Sequence, residues 1–287
     1  RYPNDRLIES FETARQAAVL MDELNFYALW MAEHHFQREG YECIPNIILL
    51  STHLAAQTKT LKFGCGFNIV PMWHPLRLAE DYATADILTG GRMIFGVGRG
   101  YHSREVETFG SPVIDNDANR ELFEEQIEVI FKAFNQESFS HKGNHYSIPA
   151  EVPYRGYDLK EITLVPRPQN IPVETWQPIV SGGSIEFTAR RGFNGVVALT
   201  GDQLVDDIFH KFRDACVENG RGGLLGENLA LGLGFYIAET QEKAVSNLRP
   251  FHDERYKWFS PFGFVRYADE EGRVWGTPGA PARTPRI

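Results

Sequence analysis

Cysteine is scarce in this chain of 287 residues: Cys43, Cys65 and Cys216 are the three it contains, an odd number without CxxC spacing. That excludes a disulfide framework and points to free thiols in a reducing, cytoplasmic setting. No window of about 18 apolar residues occurs, so no membrane-spanning helix is expected. Basic runs interleaved with aromatics are missing too, and the formal net charge is −9, so nucleic acid is not the expected partner. The HExxH metal pattern, the GxSxG nucleophile elbow and the Gly-Lys-Ser/Thr of a phosphate loop are all absent. No second His/Asp/Glu cluster shows ligand spacing, and no metal is expected.

What remains is an ordinary globular composition, 43% hydrophobic and 23% charged, with ample material for a large core. At about 150 residues per domain the length suggests two domains, but an α/β barrel of about 250 residues counts as one. Arg1 opens a polar stretch that already leads into a helix. The run Gly276-Thr277-Pro278-Gly279-Ala280-Pro281 carries no core pattern and is expected to be loop. Both ends of the chain are therefore expected to be cut.

Between them, strand and helix patterns alternate. Helical spacing over 9–24 (Phe11, Ala14, Ala18, Leu20, Met21, Leu24) precedes a strand at 26–32. Pro45, as a first helical residue, opens a helix over 46–57. A strand at 61–70, a helix at 75–88 opened by Pro75, and a strand at 92–98 follow. The span 118–134 reads as a strongly amphipathic helix. Five prolines and several aromatics across 136–176 break the rhythm; we expect an insertion carrying a hairpin at 139–148. Strands at 178–180, 195–199 and 229–238 then alternate with helices at 185–191, 204–218 and 241–259. Repeated βα units imply parallel strands with right-handed crossovers, as either an open doubly wound sheet or an eight-stranded barrel.

Three strands end in chemistry. The first closes on Glu33-His34-His35. Neighbouring side chains of a strand face opposite ways, so one histidine alone can point into a given site. A hydrogen-bonded histidine pair at a strand-loop junction is the plainer alternative. The second ending is Gly96-Val97-Gly98-Arg99-Gly100, where a guanidinium suits a phosphate and a structural ion pair is the rival. A dinucleotide turn does not fit, because Tyr101 breaks the spacing and the next good helix begins near Ala118. The third is Ser181-Gly182-Gly183-Ser184 before a helix, offering backbone N–H groups and two hydroxyls to an anion. Ser184 could instead be a simple N-cap; Phe187, three residues on, gives it no capping box. A single phosphate held by Arg99 and this turn would account for both features. Gly64 and Gly66 inside a strand pattern also ask for something close to the backbone.

On these residues the chain resembles the bacterial luciferase-like flavin-dependent monooxygenases. The resemblance runs from about Arg6 to Pro278. It is carried by Ala32-Glu33-His34-His35-Phe36, by His74-Pro75-Leu76-Arg77-Leu78-Ala79-Glu80-Asp81, by Thr89-Gly90-Gly91-Arg92 leading to Gly98-Arg99-Gly100, by Arg190-Arg191-Gly192 and by Gly276-Thr277-Pro278. It implies one (β/α)8 TIM-type barrel domain across the chain, its first and last strands lying beyond the 287 residues. It implies FMN at the carboxyl ends of the strands, with the phosphate on Arg99 and on Ser181, Gly182, Gly183 and Ser184. Gly66-Phe67 would form the family's bulge, often a non-prolyl cis peptide, beneath the isoalloxazine. His34 would be the catalytic histidine, oriented by Glu33. Tyr101 and His102 stand where the luciferases carry a leucine-tyrosine pair beside the flavin.

The activity so implied is oxygenation of a small organic substrate by O2 through a C4a-peroxyflavin. Reduced FMN would come from a separate flavin reductase, and the oxygenase would be a homodimer. An F420-dependent oxidoreductase of the same fold and a non-catalytic flavin-binding partner subunit are the alternatives.

Overall fold

A computed structural model describes residues 3–40, 42–198 and 202–259, with the short segments 266–268, 274–275 and 282–283. The chain divides into two compact units: Arg1–Val196 with Asp207–Ala230, and Val197–Asp206 with Leu231–Ile287.

The first unit opens with α1 (Asn4–Glu23), β1 (Ala28–Met31) and α2 (Ile47–Ala55). Next come β2 (Lys62–Cys65), β3 (Asn68–Ile69), a 3-10 turn (Val70–Met72), α3 (Pro75–Leu88) and β4 (Met93–Gly98). A single helical turn, α4 (Ser103–Val106), precedes the long α5 (Asn116–Asn135). Two small antiparallel hairpins follow, β5 (His141–Lys142) with β6 (Ser147–Ile148) and β7 (Pro153–Tyr154) with β8 (Tyr157–Asp158). The alternation resumes with β9 (Thr175–Pro178), α6 (Gly182–Arg191), β10 (Asn194–Ala198), α7 (Asp202–Glu218) and β11 (Leu229–Gly232). The second unit adds α8 (Gln241–Phe259), which contains Pro250, and a small sheet of β12 (Arg266–Ala268), β13 (Val274–Trp275) and β14 (Ala282–Arg283).

The main sheet runs β1-β2-β4-β9-β10-β11, with β3 continuing beside β4. Its pairs from β1 to β10 are parallel. Strand order follows chain order, as right-handed βα crossovers dictate, and gives an open, curled α/β half-barrel. The two faces differ. Met31, Phe63, Cys65, Met93, Phe95 and Val97 form the core with Leu54, Leu78, Tyr82, Ile127, Ile130 and Phe134 of the covering helices. Phe95 lies between Tyr82 and Phe134, at ring separations of 4.6 and 5.6 Å. The other face carries Trp30, Gly64, Ile94, Gly96 and Trp176, which are aligned across the strands by register.

This face explains the strand glycines. Trp30 lies flat over Gly64, so a Cβ there would meet the indole at 2.3 Å. The close approach expected at Gly64 is thus made by a neighbouring side chain. At Gly96 the obstacle is backbone: a Cβ would come 1.5 Å from the carbonyl oxygen of Cys65.

Several expected boundaries shift. The strand expected over 61–70 is two strands, β2 and β3, with the cis Gly66-Phe67 peptide between them. Asn46, not Pro45, starts α2: its side chain accepts from Leu49 N, which makes it the N-cap and leaves Pro45 outside. The strand expected at 178–180 is β9, three residues earlier, and α6 starts at Gly182 rather than 185. The N-cap of α6 is Ser181, and Ser184 is its partner in a capping box. β11 stops at Gly232, well short of 238. Leu199 and the run 276–281 lie outside the described residues.

Candidate active site

The apolar run of β1 ends by turning two successive side chains to opposite sides, and these enter different networks. His34 is buried. Its Nδ1 lies 3.2 Å from both carboxylate oxygens of Glu105 on α4. Its Nε2 has the Tyr101 hydroxyl at 3.4 Å and Glu42 Oε2 at 3.1 Å. His35 goes the other way, with Nε2 3.0 Å from Glu33 Oε1 and its ring edge-on to Phe109 at 4.8 Å.

Glu33 therefore does not orient His34; the carboxylate on the imidazole is that of Glu105. Glu33 is 2% exposed and accepts from Ile69 N at 2.8 Å, from Trp73 Nε1 at 3.0 Å and from His35. It fastens β3 and the following turn to the end of β1.

Behind His34 the polar groups are fixed in sequence. Arg104 can only donate, and its Nη2 meets Gln37 Oε1 at 2.6 Å, which assigns the amide. The Gln37 NH2 then donates to Glu105 Oε1 at 2.7 Å and to His102 Nε2 at 3.0 Å. His102 Nε2 is accordingly an acceptor, and that imidazole is neutral. The electrostatics agree. Burial opposes charge on His34, but Glu105, Glu42 and Glu33 outweigh it and raise its pKa. For His102 burial prevails and its pKa falls. Burial also favours the protonated form of Glu105, yet His34 and Gln37 bring its pKa below the usual carboxylate value. Two neighbouring imidazoles with rings 6.2 Å apart are thus driven in opposite directions.

A cluster of opposite sign sits where β4 and β9 end. Arg99 Nη1 donates to Asn116 Oδ1 at 3.0 Å and to Asn116 O at 3.3 Å, at the start of α5. Asn119 Nδ2 donates back to Arg99 O at 3.1 Å, which locks the loop to that helix. Burial lowers the pKa of Arg99, and the nearby Arg120 lowers it further, with Glu124 partly offsetting both. Arg120 also reaches Gly183: a Cβ on that glycine would lie 2.9 Å from Arg120 Nη1. Arg120 is thus the link between Arg99 and the Ser181–Ser184 turn. Within that turn the two hydroxyls serve the cap, Ser184 Oγ donating to Ser181 O at 2.8 Å and accepting from Ser181 N at 3.0 Å. The backbone N–H groups of Gly182 and Gly183, in the first turn of α6, lack helical acceptors.

Gly66-Phe67 lies between the ends of β1 and β4. Gly66 N donates to Met31 O at 2.7 Å. Phe67 stands 6.5 Å from the Trp30 ring, and its Cβ would meet a Cβ on Gly98 at 3.2 Å. All the expected site residues therefore fall at the carboxyl ends of β1, β2, β4 and β9. The residues missed by sequence reasoning are Glu42, Gln37, Glu105 and Arg120. Glu105 and Gln37 make contacts across 71 and 68 positions, which no local pattern displays. Arg120 reads as the solvated face of an amphipathic helix; its one signal is its place a turn from the N-terminus of α5.

A family model described as luciferase-like monooxygenase matches residues 2–278, and the chain belongs to that family. It is 27% identical over 246 residues to the oxygenase component of the flavin-dependent trigonelline monooxygenase of Acinetobacter baylyi. That match covers 84% of this chain and 64% of the relative, so the chain spans less than two thirds of the relative's length. Among solved structures, one neighbour is the oxygenating constituent of 3,6-diketocamphane monooxygenase from the CAM plasmid of Pseudomonas putida, in complex with FMN. Its TM-score is 0.69 at 20% identity, covering 87% of this chain and 70% of that one. Another is an F420-dependent secondary alcohol dehydrogenase, with TM-score 0.69 at 16% identity and coverages of 84% and 70%. These two establish the fold. Among the described residues no helix is long and apolar enough to cross a membrane.

Proposed function

We propose that this chain is the oxygenase of a two-component, FMN-dependent monooxygenase, supplied with reduced FMN by a separate reductase and acting on a small organic substrate. One observation carries the reading: Arg99, Arg120 and the bare backbone of Gly183 converge at strand ends that also hold His34. Arg120 lowers the proton affinity of Arg99, and two such neighbouring guanidinium groups fit a dianionic phosphate, with the missing Cβ of Gly183 leaving room for Arg120 beside the first turn of α6. In this reading the sheet closes into an eight-stranded barrel in the whole protein.

Bound reduced FMN would supply the electrons that activate O2. The chain's residues do the rest. Arg99 and Arg120 would hold the phosphate, with the first-turn N–H groups of Gly182 and Gly183 as further donors. Gly66, Phe67 and the inner-face tryptophans Trp30 and Trp176 offer an apolar wall that keeps water from the ring system. His34, with Tyr101 beside its Nε2, delivers or receives a proton at the reacting edge.

The test is a flavin-fluorescence titration joined to product analysis. Losing one charge-assisted contact costs about 1.5–3 kcal/mol, so Arg99→Ala should weaken FMN binding roughly tenfold or more. His34→Ala should keep FMN affinity and lose product. Undiminished FMN binding in Arg99→Ala, or reduction of F420 without O2 uptake, would overturn the proposal.

A further inference from the structure

Glu42 belongs to the loop between β1 and α2, and sequence reasoning gave it no role. Its Oε2 lies 3.1 Å from His34 Nε2, with the side chain of His34 7% exposed and that of Glu42 26% exposed. On the opposite side of the ring, Nδ1 faces both oxygens of Glu105 at 3.2 Å. Nδ1 thus has a hydrogen-bonded carboxylate, while Nε2 has its hydrogen bond to the Tyr101 hydroxyl and the Glu42 carboxylate within ion-pair reach. Negative charge on both sides of the ring favours the form that carries hydrogen on both nitrogens.

The surrounding groups agree. From β1 comes Glu33, another negative charge. The segment after β4 contributes Tyr101, whose pKa is raised by burial and then by Glu42 and Glu105, so that it stays a neutral phenol able to accept from Nε2–H. The same segment contributes His102, which is neutral because Gln37 donates to it. Arg104, a cation two residues beyond His102, is engaged by Glu39 and Gln37. Two carboxylates thus lie against the ring, Glu33 adds negative charge at longer range, and the neighbouring imidazole carries no charge.

We propose that Glu42 is a positioning residue which, with Glu105, holds His34 as an imidazolium, so that His34 enters the reaction as a proton donor rather than a base. The inference rests on the proposed oxygenase function for the identity of the acceptor, an oxygen atom that gains negative charge as the substrate reacts. The Nε2–H proton passes to that oxygen and the imidazole becomes neutral. A water proton, passed through the partly exposed Glu42 carboxylate, then restores the cation, leaving hydroxide in solvent. No oxidant or reductant is consumed in this exchange.

The experiment is a pH titration of the whole protein labelled with 15N-histidine, followed by NMR at the ring nitrogens, with the His34 signals assigned from their loss in His34→Gln. In the wild type both His34 nitrogens should remain protonated at pH 7, above the ordinary histidine midpoint of about 6.5. Glu42→Gln should bring that midpoint down by about one pH unit, a tenfold change in acid strength. Glu42→Asp keeps the charge and should move it much less. With substrate turnover, the alkaline limb of the kcat profile should shift in step with the midpoint. A neutral His34 at pH 7 in the wild type would overturn the proposal, as would equal shifts in Glu42→Gln and Glu42→Asp. The titration needs no flavin, so a protein that fails to bind FMN would defeat the proposed function and leave this measurement to decide separately.

Discussion

The guanidinium of Arg120 lies against the backbone of Gly183, its Nη1 2.9 Å from the point a Cβ on that glycine would take. The contact joins α5 to the start of α6 and makes position 183 a spacer for a cation. Gly183→Ala should therefore separate two effects. Alanine suits a helix better than glycine by about 1 kcal/mol, so the melting temperature should hold or rise. The added methyl displaces the guanidinium, so FMN affinity in a fluorescence titration should fall several-fold. Unchanged affinity would remove Arg120 from the phosphate grip.

Removal of the Glu33 carboxylate should be felt in stability. Ile69 N and Trp73 Nε1 would each lose their acceptor, and His35 its partner. An abandoned buried donor costs about 1–3 kcal/mol, and the site has several. Glu33→Ala should lower the urea unfolding free energy by roughly 3–5 kcal/mol, with the loss of a buried, fully bonded charge as the cause. Glu33→Gln keeps one acceptor oxygen and should lose less. A Glu33→Ala protein as stable as the wild type would show that β3 and its turn are held by other contacts.

The three thiols should differ in reactivity. Burial pushes the Cys65 thiol up to about 12, and burial also raises Cys216. Cys43 is half-buried and sits 3.2 Å from Ser10 Oγ. At pH 8 a thiol reagent should label Cys43 first in the folded protein, with Cys65 and Cys216 joining it in denaturant. Mass spectrometry of the labelled peptides provides the check; early labelling of Cys65 would contradict the packing of β2.

Much of the frame was readable because its signals are local. The apolar runs that became β1, β2 and β4, and the amphipathic stretch that became α5, follow directly from side-chain periodicity. The opposed directions of His34 and His35 follow from strand geometry. The start of α6 precedes the expected position because Ser184 is the third residue of the box that Ser181 opens and not itself the cap. Gly64 and Gly66 ask for something close to the backbone, and at Gly64 that neighbour is Trp30, which no local pattern could name; Gly96 makes room for the carbonyl oxygen of Cys65. Glu105, Glu42 and Gln37 were invisible for another reason. Nothing in their own surroundings marks them, and they acquire meaning only when β4 and β1 come together around β2.

Gly96 sets a boundary for anyone who would reshape this pocket. Trp30 and Trp176 meet their neighbours through side chains, edge to face at 5.8 Å, and side chains can repack around smaller rings. Position 96 permits no such exchange. Its phantom methyl would land 1.5 Å from a main-chain oxygen, which cannot swivel aside as a side chain can, so even alanine would prise two neighbouring strands apart. Libraries aimed at new substrates gain by varying the indoles and leaving that glycine untouched.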